Sequence, residues 1–250
     1  MRGFQALRYD VVDGLATITL SRPDKRNAMD RRMFEELAEA AHLASEAQDV
    51  RGVMVAGDGP SFCAGIDLDL LRELTGIDRG EFRETVRGFQ RPFLMLATMA
   101  KPTLAAVHGH GLGAGCQLAL ACDLRVAAPD AHLAILEPRY GLVPDLGGIH
   151  RLTELLGPAR AKELVWSTRS LDADEAGRLG LVNRVSSPGG LLDEARALLA
   201  EATAHAPTAV RLSKALIDGA GRTSFAEQLE RDADAQVIAV LGEPQTDRGE

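Results

Sequence analysis

The chain has 250 residues, 46% hydrophobic and 26% charged, enough for one substantial core or a core with an appendage. Its formal net charge of −8 argues against nucleic acid as the main partner, so any anionic ligand needs a local basic patch. Cys63, Cys116 and Cys122 form no zinc-like pair, no apolar run is long enough to span a membrane, and Arg8, Asp10 and Asp13 interrupt any signal-type stretch; a cytoplasmic protein with no membrane partner is expected.

Residues 6–12 and 15–20 are strand-like runs about Asp13-Gly14, a hairpin signal. The polar loop 21–27 carries Arg22, Lys25 and Arg26, the basic patch that the acidic chain otherwise lacks, though exposed basic side chains are also the norm in solvated turns. Asp30 is placed to cap a helix bearing Met33, Phe34, Leu37, Ala40, Ala41 and Ala44 at helical spacing. A short buried strand at 53–56 enters the loop 57–68, which a short helix follows. Residues 81–99 read as a long amphipathic helix with a kink or break at Pro92, and Phe82, Phe89 and Trp166 read as core.

A strand at 103–107 leads into a glycine-dense turn, a helix from Ala114, and short strands at 124–128 and 132–135. Beyond Arg151 the pattern is mostly helical, with helices at 158–166, 172–179, 191–204, 207–217 and 224–241 and one short strand at 181–185. The composition shift at 186–190 divides a strand-and-helix core, 1–187, from a helical part, 188–250.

The chain is organised around residues 101–117. Gly109, Gly111, Gly113 and Gly115 alternate there, which lets backbone approach a ligand with no Cβ in the way. The first amides of the following helix have no intrahelical partner and sit at the positive end of its dipole, where an oxygen becoming anionic is stabilised. Gly109-x-Gly111-x-x-Ala114 also matches a dinucleotide-binding fingerprint, with Asp130 about twenty residues on, but the chain beyond Arg151 lacks the strand–helix alternation of a doubly wound fold. The stretch 62–68, Phe-Cys-Ala-Gly-Ile-Asp-Leu, is a second loop between a strand and a helix. Two such loops could each aim one N–H at the same oxygen. His108 and His110 have metal-like spacing but no third ligand nearby.

Several stretches together resemble the crotonase (enoyl-CoA hydratase/isomerase) superfamily. They are Arg26-Asn-Ala-Met29, Ser61-Phe-Cys-Ala-Gly-Ile-Asp-Leu68, residues 101–118 with Cys122-Asp123, Gly141-Leu-Val-Pro-Asp-Leu-Gly-Gly148, and residues 176–185. The resemblance covers nearly the whole chain, in order. It implies an α/β fold, a spiral of stacked ββα units with a helical C-terminal part used in trimerisation, and hence a homotrimer or dimer of trimers. It also implies an acyl-CoA thioester as substrate, with no separate cofactor because coenzyme A is part of that substrate.

Carried over by motif, the thioester oxygen falls to the amides of Ile66 and Ala114, and the acid/base positions to Gln117 and Glu137. The CoA portion falls to Lys25, Arg26, Ala28, Ala64, Gly65, Asp67, Leu68 and Gly113. Family hydratases usually carry Glu at both acid/base positions; Gln117 can position a water but cannot take its proton at neutral pH. Glu137 lies among apolar residues, which would raise its pKa if buried. Asp145 is either a turn residue before Gly147-Gly148 or, as in similar isomerases, a second carboxylate facing the acyl chain. Family members also continue into a further helix with a basic residue near the CoA phosphate; the expectation here is either that this element is absent or that Arg248 or a neighbouring subunit takes its role. Double-bond isomerisation of an enoyl- or dienoyl-CoA is therefore the favoured reaction. Hydration of trans-2-enoyl-CoA is the alternative, and an acyl-CoA-binding protein with little catalysis is the third reading.

Overall fold

The computed structural model describes residues 3–242. Its first half contains β1 (Leu7–Val12), β2 (Leu15–Leu20), α1 (Arg31–Glu46), β3 (Gly52–Gly57), α2 (Leu68–Leu74), α3 (Arg79–Thr98), β4 (Thr103–Val107), β5 (His110–Leu112) and α4 (Ala114–Ala121). The second half contains β6 (Leu124–Ala127), β7 (His132–Ala134), α5 (Gly148–Ser167), β8 (Leu171–Asp172), α6 (Ala173–Leu179), β9 (Arg184–Val185), α7 (Leu191–Ala202), α8 (Pro207–Ala220) and α9 (Phe225–Leu241). Single 3-10 turns lie at Pro23–Lys25 and Glu137–Tyr140.

β1 and β2 pair antiparallel about Asp13 and Gly14, both at positive φ as a tight right-twisted hairpin requires. From β2 the main sheet continues in parallel, giving the order β1-β2-β3-β4-β6-β9. β3 and β4 sit centrally, with side chains buried on both faces. Val53, Val55, Ala105 and Val107 belong to the larger core with α1, α3 and α4. Met54, Ala56, Leu104 and Ala106, on the opposite pleats, pack with Leu191, Ala195 and Leu199 of α7. So α7 covers the outer sheet face, while α8 and α9 pack mainly on each other. The half-buried Lys214–Asp123 ion pair, 2.6 Å, ties α8 back to the segment after α4.

Four expectations are corrected here. Pro92 neither ends nor breaks α3, because Phe89, Phe93 and Leu96 are buried on either side of it and Phe89 stacks on Phe34 at 4.2 Å. The glycine-dense stretch contains a strand: β5 joins β7 and β8 in a second, three-stranded sheet. Trp166 is not core. It is 73% exposed near the end of α5, with the Lys162 ammonium 6.0 Å above its ring. α5 begins ten residues earlier than the helical pattern suggests, bending at Gly157, whose φ of 75° interrupts it just before Pro158.

Candidate active site

The two glycine-containing loops are laced together along their length. Phe62 N–H donates to the His108 carbonyl at 2.9 Å, Cys63 N–H to His110 at 2.8 Å, and Leu112 N–H back to Cys63 at 3.0 Å. This approach is closer than side chains permit. A Cβ at Gly109 would lie 2.2 Å from the Pro60 carbonyl oxygen, and one at Gly115 would lie 2.3 Å from that of Cys63. Asn27, fully buried, pins the first loop from below: its side-chain amide donates to the Asp58 and Ser61 carbonyls at 2.9 and 2.8 Å, and its Oδ1 accepts from Arg22 N–H.

The lacing brings two amides side by side. Around Ile66 the backbone pairs with Met29 through Met29 N–H to the Gly65 carbonyl and Asp67 N–H to the Met29 carbonyl, so the Ile66 N–H points away from that partner. Ala114 is the first residue of α4 and has no intrahelical acceptor. Neither N–H donates to any acceptor among the described residues. Gly65 sits between them at φ 106°; its absent Cβ would lie 3.8 Å from the Ala114 nitrogen. Both residues line a cavity of about 700 Å³.

Glu137 enters the same cavity from the 3-10 turn, 9% exposed. Its Oε1 accepts from Gln117 Nε2 at 2.7 Å, and its buried Oε2 has no protein partner. Burial raises its carboxyl above the usual range, and the Asp145 charge adds to that; main-chain amides and the Gln117 donor pull the other way. Gly113, at φ 52°, leaves room for this carboxylate, since a Cβ there would lie 3.4 Å from Oε1. Asp145 also lines the cavity. Its side chain keeps accessible surface, yet the dense chain around it raises its carboxyl too. Gln90 on α3 holds its carbonyl at 2.7 Å.

Lys25, Ala28, Ala64, Gly65, Asp67, Leu68 and Gly113 all line this cavity, whereas Arg26 and Gln117 do not. Arg26 contributes through its backbone: at φ 49° it offers its carbonyl to Ala64 N–H at 2.9 Å. The Gln117 carboxamide is committed to protein partners, Glu137 by its Nε2 and the amides of Leu146 and Gly148 by its Oε1. Arg22 is taken up as well, pairing with Asp67 at 3.1 Å and Asp30 at 3.4 Å and donating to the Ala28 carbonyl. Burial alone would raise Asp67, but the Asp69 amide and Arg22 bring it below the usual carboxylate range. Lys25 is thus the member of the expected basic patch that lines the cavity.

Phe82 and Phe89 are cavity wall rather than plain core; Phe82 is 38% exposed. With Leu71, Leu74, Val86 and Phe34 they form an apolar end to the cavity. Sequence reasoning missed this wall because an amphipathic helix facing a cavity has the same periodicity as one facing a core. Burial pushes the thiols of Cys63, Cys116 and Cys122 up to about 12, which leaves them inert as nucleophiles at neutral pH. His108 and His110 bond to the Gly59 carbonyl and to Ser61, and among the described residues no group of three or more His, Cys, Asp or Glu could hold a metal ion. Arg248 lies outside the described residues.

Two free main-chain donors and a buried carboxyl thus line one largely apolar cavity. A sequence model of the enoyl-CoA hydratase/isomerase family matches residues 10–242, and the chain belongs to that family. It is similar to the crotonyl-CoA hydratase of Syntrophomonas wolfei, 35% identical over 222 residues covering 88% of this chain and 84% of the relative. It is also similar to the short-chain-enoyl-CoA hydratase of Clostridium acetobutylicum, 35% identical over 205 residues, 82% of this chain and 77% of the relative. A Thermobifida fusca structure in complex with acetoacetyl-CoA superposes with a TM-score of 0.89 at 38% identity, covering 95% of this chain and 96% of that one. The enoyl-CoA hydratase of Bacillus anthracis gives 0.88 at 31% identity, covering 96% and 92%. The expected preference for isomerisation finds no support in these names, which are those of hydratases. No helix among the described residues is long and apolar enough to cross a membrane.

Proposed function

We propose that this enzyme adds water to trans-2-enoyl-CoA thioesters to give 3-hydroxyacyl-CoA. The observation that carries this reading is the Glu137 carboxyl, fixed through Oε1 and unpartnered at Oε2, in the same cavity as the free amides of Ile66 and Ala114. In this reading the two amides receive the thioester oxygen, where charge develops as water adds to Cβ. Ionised Glu137 takes one proton from the water, its hydroxyl oxygen bonds to Cβ, and the double-bond electrons move onto the thioester as an enolate. Protonated Glu137 then returns the same proton to Cα, and the enolate collapses to the thioester. One carboxyl suffices because it acts first as base and then as acid, which a raised pKa favours. Gly65 and Ala64 to Leu68 form the wall running from the two amides toward Ala28 and Lys25, where the CoA portion is assigned. The apolar end formed by Phe82, Phe89 and their neighbours takes the acyl chain.

Asp145 favours a second reading. A carboxylate in the same cavity as Glu137 could reprotonate a dienolate at a remote carbon, making the reaction a double-bond shift. One experiment separates them: trans-2-enoyl-CoA and 3-enoyl-CoA are supplied separately while conjugation of the thioester is followed in the ultraviolet. Hydration predicts loss of conjugation from the first; gain from the second with no loss from the first would replace it by isomerisation. Silence on both with acyl-CoA still bound would leave a binding protein.

A further inference from the structure

Gln117 is 1% exposed, in the middle of α4, and reaches two other pieces of the chain. Its Nε2 donates to Glu137 Oε1 at 2.7 Å, and its Oε1 accepts from Leu146 N–H at 3.0 Å and Gly148 N–H at 3.1 Å. The turn after Asp145 can close on the carboxamide only because residue 148 is glycine, since a Cβ there would lie 2.6 Å from Gln117 Cγ. One carboxamide therefore spans α4, the Glu137 turn and the turn that presents Asp145.

We propose that Gln117 is a positioning residue, a proton-inert strut that acts through Glu137 and the 145–148 turn and touches neither water nor substrate. The inference rests on the hydration reading for its kinetic consequences but not for its structural one. The strut takes up Oε1 and leaves Oε2 as the carboxyl oxygen without a protein partner. An amide N–H cannot be handed over, so Glu137 titrates alone at this point; a carboxyl at 117 would share a proton with it across 2.7 Å and turn one titration into two coupled steps. The other ionisable groups facing Glu137 are Asp145 from its turn and the inert Cys116 thiol from α4, while Arg139 turns away to bond Thr168.

Gln117→Met keeps the bulk and removes all three bonds. The expected result is a fall in kcat of roughly 10²-fold with KM, and the Kd of a saturated acyl-CoA, changed less than about threefold. The acid limb of kcat should move to higher pH, because Glu137 loses a donor that favours its charged form. Gln117→Glu retains an acceptor for Leu146 and Gly148 and so covers the case in which the Met variant does not fold. In that variant, carbon-13 NMR of the glutamate carboxyls should show Glu137 titrating in two coupled steps where the parent shows one. Unchanged kcat and acid limb in a folded Met variant, or an unshifted single titration in the Glu variant, would overturn the proposal. The titration is read on the free protein, so it stands even if the parent fails to hydrate enoyl-CoA.

Discussion

Glu137 places function and stability in opposition. Its carboxyl is raised chiefly by burial, so the folded state holds the proton more tightly than the unfolded chain does. The stability this group contributes is full below the unfolded-chain value, near pH ~4.3, and is lost as pH rises through the raised folded value. Glu137→Gln should therefore be more stable than the parent at neutral pH, with the advantage vanishing below about pH 4. Denaturant midpoints at the two pH values check this, and an equal gain at both would contradict it. Lys25 lines the cavity beside Ala28 while the charge of Arg22 is neutralised by Asp30 and Asp67. Lys25→Ala should raise KM for an acyl-CoA by roughly two- to fivefold with kcat unchanged, the modest effect of an exposed charge, and the difference should shrink with added salt. That Lys25 and not Arg22 is free to act was not legible in the loop 21–27, because Arg22's partner Asp67 lies 45 residues away.

At the scale of elements, the chemistry of the glycine loop was legible because glycine at every second position weakens both helix and strand and serves close backbone approach instead. Gly109 and Gly115 do sit where a Cβ would collide with the first loop. β5 within that loop was not legible, since histidine and glycine carry little strand propensity and the strand exists by pairing with β7. Pro92 misled for the same reason in reverse: local helix breaking is overridden by aromatic packing on α1. The lacing of the two loops positions the Ile66 and Ala114 amides, and Gly115→Ala tests it. Its Cβ would meet the Cys63 carbonyl at 2.3 Å and force the loops apart. Expected are a stability loss of about 1–3 kcal/mol and a loss of activity larger than that destabilisation accounts for. A variant with the parent's kcat/KM and denaturant midpoint would mean that this approach does not set the site.

Over the whole molecule, most strands and helices and the order of motifs were legible from periodicity and resemblance, while the packing of the end of the chain was not. α7 joins the outer face of the main sheet, while α8 and α9 pack mainly on each other. Ile217, Phe225, Leu229, Val237, Val240 and Leu241 stand at least half exposed on that pair, more apolar surface than a solvated helix hairpin usually shows. Assembly into a homotrimer, alone or paired, is the proposal that accounts for it. Sedimentation equilibrium at micromolar protein should give a mass at least three times that of the chain; a monomer would contradict the proposal.

One carboxyl, Glu137, is assigned both proton transfers beside the two free amides. The most direct test of that assignment is the turnover of trans-2-enoyl-CoA by Glu137→Gln beside the parent protein, with acyl-CoA affinity measured on both. Turnover should fall roughly 10²- to 10⁴-fold with affinity held within about threefold. Turnover within about twofold of the parent would contradict it and move the chemistry to another group.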